Sequence, residues 1–354
     1  MKHTFALITT VALAGSAQAA LTPLTAQQTL QQFNAVVLGD VKSESHIDGR
    51  TYIGGSLVGN NKPVFAMHPD DVRASNYAGL TVMGKGVASD AYAVNGAYVT
   101  GIGALVYGNT KDLGIGKGNS TIYGNTQSTD FNGNGSYYVS GSTNGGNLGV
   151  TKVDAVVPGT VQYLNTQAAA STDFSTVLGG LSNSIKAMAG TSSVVIQGNT
   201  ANFTVVADHG VAVFDLTALQ DKLFSSSVTQ FSFSGLDKAT TVLFNTSVTG
   251  ATLSDNFLDD VANKYSNKMV WNFYNATSLT VNSQFAGSIL ATKAALTNTA
   301  NIDGGVYVSS LDQHAEIHLH NFTADVSAVP EPGTYAMLLA GLGLMGLVGR
   351  RRKD

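Results

Sequence analysis

The sequence predicts a mainly β protein, an irregular β-solenoid with a long amphipathic helix packed against it. Three observations carry this. Between Ala35 and Gly149 the chain runs in short apolar or alternating pieces (VVLGD, TYIGGSLVGN, GLTVMGKG, YAVNGAYVTG) separated by Gly and Asn, as strands of four to six residues require. Val106-Tyr107-Gly108-Asn109-Thr110 recurs as Ile122-Tyr123-Gly124-Asn125-Thr126, an offset of 16 residues, and Ile196-Gln197-Gly198-Asn199-Thr200 echoes both. Between Thr160 and Ala189 the apolar period changes to that of a helix. A β-sandwich also yields short strands with frequent turns and stands as the alternative.

The chain opens on Met1-Lys2-His3, an apolar run from Phe5 to Gly15, and Ala17-Gln18-Ala19. A charged start, a short greasy core and an A-x-A site describe a secretory leader at 1–19, read by the Sec machinery and signal peptidase, with the mature chain starting at Ala20. From Thr25, TAQQTLQQFN places Ala26, Leu30 and Phe33 on one helical face, with Thr25 as N-cap. The strand-rich stretch follows, its Gly-Asn pairs suited to coil corners where φ is positive. In the helical interval Phe174, Val177, Leu178, Leu181, Ile185 and Met188 form an apolar stripe that Gly179 and Gly180 weaken. Strands then return through AEIHLHNF, to Phe322, interrupted by short helices near 217–224 and 254–265. An internal echo, His46-Ile47-Asp48-Gly49 before Tyr52 and Asn301-Ile302-Asp303-Gly304 before Tyr307, suggests that distant parts of the chain form neighbouring coils. One extended domain over 20–327 is the simplest organisation.

Composition bounds the function. Charged residues are only 12%, and removing Lys2 and the net +3 of the last five residues takes the formal charge from −4 to about −8. An acidic surface argues against nucleic acid or anionic membrane as partner. The absence of cysteine excludes disulfides, a thiol nucleophile and thiolate metal sites. No G-x-S-x-G, Walker loop or H-E-x-x-H occurs, and the expectation is a protein that is not an enzyme.

The C-terminus carries an address. Pro330-Glu331-Pro332 precedes an apolar stretch from Tyr335 to Val348, about 14 residues where a comfortable span needs roughly 20, and then Arg350, Arg351, Arg352 and Lys353. The basic cluster holds the tail in the cytoplasm and leaves everything before it outside. This order of parts, over 328–354, resembles the PEP-CTERM sorting signal; a permanent single-span anchor is the alternative. The resemblance implies recognition by exosortase, a membrane-embedded enzyme tied to exopolysaccharide and biofilm production, and an inner-membrane-tethered intermediate on the way to the cell surface or matrix. The two prolines keep the processing strip extended.

In the body, FNAVVLGDVKSESHIDGRTYIGGSL, Trp271-Asn272-Phe273, GSILA from Gly287 and Glu316-Ile317-His318 are similar to the choice-of-anchor A domain, over roughly 33–325. Thr292-Lys293 departs from that pattern, which has a proline there. The resemblance implies a β-helical adhesin with an exopolysaccharide or extracellular protein as ligand, and it supplies no catalytic residues. A polysaccharide-acting β-helix enzyme, or an ice- or ion-binding extracellular protein, are the alternatives; threonines are frequent but not arrayed as T-x-T along strands.

Few side chains suggest site chemistry. Glu316, His318 and His320 alternate with Ile317 and Leu319, so a strand would put all three on one face, as a metal site or as a hydrogen-bonded ladder. Same-face neighbours nearly 7 Å apart make a stretched ligand set. Asp48 and Asp303 each precede glycine, suiting either Asx-turn capping or calcium at a coil corner. Trp271 in VWNFYN fits core packing better than a sugar platform.

Overall fold

The computed structural model describes residues 21–326. Successive coils contribute a strand to each of three faces, and the coils stack through parallel pairs. On the first face Ala35–Val37, Thr51–Ile53, Leu80–Val82, Ala104–Tyr107, Ser120–Tyr123 and Ser136–Val139 follow one another in register. The second face stacks Val41–Ser43, Leu57–Gly59, Tyr92–Val99, Asn109–Ile115, Thr126–Gln127 and Thr143–Asn144. Parallel stacking rules out the sandwich, whose sheets are antiparallel.

The order of coils in space is not their order in sequence. Residues 35–152 wind outward from the middle of the solenoid. The chain then crosses through helices and resumes at the far end, where Val211–Asp215, Thr241–Thr246, Met269–Phe273, Ser288–Asn298 and Val306–Gln313 wind back. The circuit closes where Val306–Gln313 pairs with Ala35–Val37 on one face and with Val41–Ser43 on the next. The two Ile-Asp-Gly echoes flank this seam: Tyr307, Val36 and Tyr52 occupy successive rungs. A smaller sheet, Ser193–Gln197, Thr200–Thr204, Gln230–Ser234 and Asn256–Phe257, forms the third face of the distal coils, with Phe231 against Trp271 and Phe257 against Phe285.

Inside, one apolar cluster runs the length of the coils, from Val139 and Phe131 to Trp271 and Phe214. Corners are made by stacking like on like. Gly96, Asp112, Ser128 and Gly145 follow paired positions of the second face, and all four have left-handed φ, at 77°, 50°, 49° and 69°. The Gly-Asn pairs meet the expected positive φ at Gly108, at 135°, but not at their asparagines. Asn109 and Asn125 have ordinary φ; Asn109 Oδ1 accepts from the Asn125 amide, and Asn125 Oδ1 from that of Ser142, a ladder that ties each corner to the next. Gly124 is required because a Cβ there would lie 2.4 Å from the Gly108 carbonyl. The third echo, Ile196 to Thr200, is no coil corner: it is an antiparallel hairpin turn with Gln197 opposite Thr200.

Helix α1 (Ala26–Gln32) begins at a Thr25–Gln28 capping box and buries Ala26 and Leu30, as its spacing predicts. The predicted long helix is two, α2 (Val161–Ser171) and α3 (Phe174–Lys186). The break falls where the Asp173 carboxylate caps the amides of Ser175 and Thr176. Phe174, Leu178, Leu181 and Ile185 pack on the outer side of the first face with Leu30, Phe33, Tyr52 and Tyr307. Ser182 is buried there too: its Oγ donates to Asn272 Oδ1, while Asn272 Nδ2 donates to the Ser182 carbonyl and to Asn245 Oδ1. The short helices are Gln220–Leu223 and Val261–Tyr265. Thr292-Lys293 sits at a register shift within Ser288–Asn298, so the departure from the family pattern coincides with a bulge.

Candidate functional site

Helices cover the first face, which leaves the second and third for function. On the third, Ile302, Ile317 and Ile47 stack inward on successive rungs, each fully buried, and the next residue of each strand turns outward. Asp303, His318 and Asp48 therefore lie side by side at the seam. His318 Nδ1 is 2.7 Å from Asp303 Oδ1, and its Nε2 is 2.8 Å from Glu316 Oε2. His320 Nε2 is 3.3 Å from the same Asp303 oxygen, and its Nδ1 is 2.8 Å from Ser266 Oγ. Gln284 Nε2 donates to the other oxygen of Asp303 at 2.6 Å.

Asp303 is almost fully buried, whereas the side chains of His318 and His320 remain 31% and 21% exposed. Burial alone would raise the Asp303 pKa, yet hydrogen bonds from His320, His318 and Gln284 outweigh it and hold the carboxyl down at about 2. For His318 burial opposes the charged form, but Asp303 and Glu316 raise it on balance.

Of the residues marked in sequence, His318 and His320 converge and Glu316 does not join them; it sits across the His318 ring. The extended segment ends at His318, so His320 is not placed by strand alternation. Asp303, for which the sequence suggests Asx-turn capping or a calcium ligand, supplies the carboxylate. The signal was present: Asp303 and His318 are one coil apart, 15 residues, close to the 16-residue repeat. Neither aspartate caps its own turn, since Asp48 Oδ2 accepts from the Leu319 amide on the next rung. The nitrogen-rich surroundings of Asp303 do not suit calcium, which takes oxygen ligands.

The second face carries a row of outward side chains in continuous register: Thr252, Thr280, Thr297, Asp312, Lys42, Val58, Asn95, Lys111, Gln127 and Asn144. At the usual strand spacing these ten rungs span about 43 Å. Their inward neighbours Leu279, Leu296, Leu311, Val41, Leu57 and Val94 are buried. Threonines do align, but across coils and only over the first three rungs.

The other candidates are structural. Trp271 is fully buried, stacks on Phe244 with 3.8 Å between ring centroids, and donates from Nε1 to the Ala286 carbonyl. Asn272 belongs to the helix-docking network, and Phe273 is core. Burial pushes the Asp255 carboxyl up to about 7, with no second carboxylate contributing to the shift. Ala17, Ala19, Pro330, Glu331, Pro332 and the basic residues from Arg350 to Lys353 lie outside the described residues. Among the described residues no helix is long and apolar enough to cross a membrane.

A stack of parallel coils with one flank under helices and another bearing a long polar row defines a β-solenoid built to present a surface. Residues 26–319 match the family described as Putative Ice-binding-like adhesive domain, and the chain belongs to that family. Residues 328–353 match the PEP-CTERM protein-sorting motif. No curated protein and no solved structure matches the chain. An adhesive-type domain joined to this motif supports an exported surface protein sorted by exosortase.

Proposed function

We propose that the protein is a non-enzymatic adhesin of the cell surface or extracellular matrix that holds a hydroxyl-rich exopolysaccharide along its second face, in biofilm assembly. The ten-rung row, polar at every rung but Val58, is the observation that carries this reading. An extended polymer laid across the coils meets a side chain every 4.8 Å or so, and many weak contacts add up along its length. The threonine stack ends after three rungs and the row goes on through charged Asp312, Lys42 and Lys111, which favours a polar polymer over a water lattice. The choice-of-anchor A likeness fits the same role. On this reading the chain is held briefly in the inner membrane by its apolar tail, cleaved near Pro332 and passed outward.

The test is binding of the full chain to exopolysaccharide purified from the producing strain, measured on an immobilised polymer. Lys42→Glu with Lys111→Glu and Gln127→Ala should weaken binding at least tenfold without changing the melting temperature. A change at the exposed Asp208, outside the row, should leave it intact. Equal binding by the row variant and wild type would overturn the proposal.

A further inference from the structure

We infer that Asp303, His318 and His320 form a site for a divalent transition-metal ion, zinc or its neighbours, at the seam where the last coil meets the first. This goes beyond the adhesive role and does not depend on it. The three inner atoms, Asp303 Oδ1, His318 Nδ1 and His320 Nε2, all lie within 4.8 Å of one another. A tetrahedral ion with bonds of about 2.0–2.1 Å separates its ligand atoms by about 3.3 Å, which the His320–Asp303 pair already matches. The His318–Asp303 pair, at 2.7 Å, opens by roughly 0.6 Å to reach it.

The outer contacts distinguish this arrangement from a chance meeting of polar groups. In metal centres the histidine nitrogen facing away from the ion is held by a carboxylate, carbonyl or hydroxyl, which fixes tautomer and ring orientation. Here each ligand has such a partner on its far side: Glu316 on His318 Nε2, Ser266 on His320 Nδ1, and Gln284 on the second oxygen of Asp303. Ser266 is itself fully buried, so the His320 ring is fixed from inside the protein. The exposed edges of the two histidines leave the fourth position to water. Two imidazoles and a carboxylate form a borderline donor set, suited to zinc, cobalt, nickel or copper rather than to calcium or magnesium.

Without metal the same atoms share protons. With the ion on His318 Nδ1 and His320 Nε2, each ring keeps its one proton on the far nitrogen, where Glu316 and the Ser266 hydroxyl accept it. An ion here would join the segment from Asn301 to Asp303, the segment from Glu316 to His320 and, through Ser266, the turn before Met269–Phe273.

The experiment is titration of the chelator-stripped full chain with Co²⁺ and Zn²⁺ at pH 7.5, followed by cobalt absorption and thermal melting. One equivalent per chain, an absorption band of four- or five-coordinate cobalt and a raised melting temperature are expected. His320→Ala should abolish the band; because it also removes the contacts to Asp303 and Ser266, its metal-free melting temperature is measured alongside, and the rise on adding zinc seen in wild type should vanish. Glu316→Gln should weaken affinity about tenfold or more. His314→Ala, at the separate pair with Glu44, should change nothing. Undiminished binding by His320→Ala and by His318→Ala, or no one-to-one binding by wild type, would overturn the assignment. Adhesion is read separately in the polymer assay, so the two proposals fail independently.

Discussion

Val36 and Tyr307 are directly paired Cα partners in parallel strands, so the first strand of the chain lies against a strand formed almost at its end. Every other coil is assembled from residues nearby in sequence; this one pair of rungs joins the two arms. The Tyr307 hydroxyl reinforces it by donating to the carbonyls of Phe33 at 2.9 Å and Leu30 at 3.2 Å, at the end of α1.

Tyr307→Phe should therefore destabilise the protein by about 1–2 kcal/mol, the cost of leaving buried carbonyls unpaired. The loss should appear in urea unfolding, with the N-terminal helix becoming protease-sensitive first. An unchanged unfolding midpoint would mean that the seam does not depend on this contact.

Asn272 and Asn245 sit on adjacent rungs and fasten α3, the latter donating to the Ile185 carbonyl at 2.6 Å. Asn272→Leu should cost about 3 kcal/mol, because Ser182 and Asn245 lose their partner in a site that water does not reach. Hydrogen exchange should show α3 opening while the coils stay protected.

Gly103 has φ of 67°, and a Cβ there would meet the Asn119 carbonyl at 2.0 Å. Gly103→Ala should block close stacking of the two coils and prevent accumulation of folded protein. Gly198→Ala, where φ is 60° but space is open, should cost only about 1 kcal/mol. Comparing soluble yield and melting of the two variants separates close approach from backbone strain.

The seam should be pH-dependent in both directions. Asp303 falls from 3.8 to about 2 on folding, so its contribution, about 2 kcal/mol, is present above about pH 4 and is lost as pH falls toward 2. His318 shifts the other way: its contribution is full below the unfolded value and lost as pH rises through the higher folded one. Besides Asp303, two groups raise His318: Glu316 through its hydrogen bond and Asp48 through its charge. In metal-free protein Asp303→Asn should remove the acid-side loss, measured as unfolding free energy at pH 3, 5 and 8.

Much of this architecture is written locally. The capping of α1 by Thr25, the 16-residue offset that puts Tyr123 on Tyr107 and the burial of Trp271 all follow from patterns within a few residues or one repeat. Such patterns determine which elements form and which face of each is apolar, because strand alternation and helix periodicity are properties of the chain itself. The split between α2 and α3 was legible in principle, since Asp173 stands before Ser175 and Thr176 in capping position. What no local pattern carried was the order of coils in space. That Val36 meets Tyr307, that Lys42 continues a row begun by Thr252, and that Asp303 rather than Glu316 faces both histidines depend on register between strands far apart in sequence. Register across a seam is decided by the fit of packed side chains once the coils exist. The sequence determined the pieces and their inner faces; only the closed solenoid decided which outward residues became neighbours.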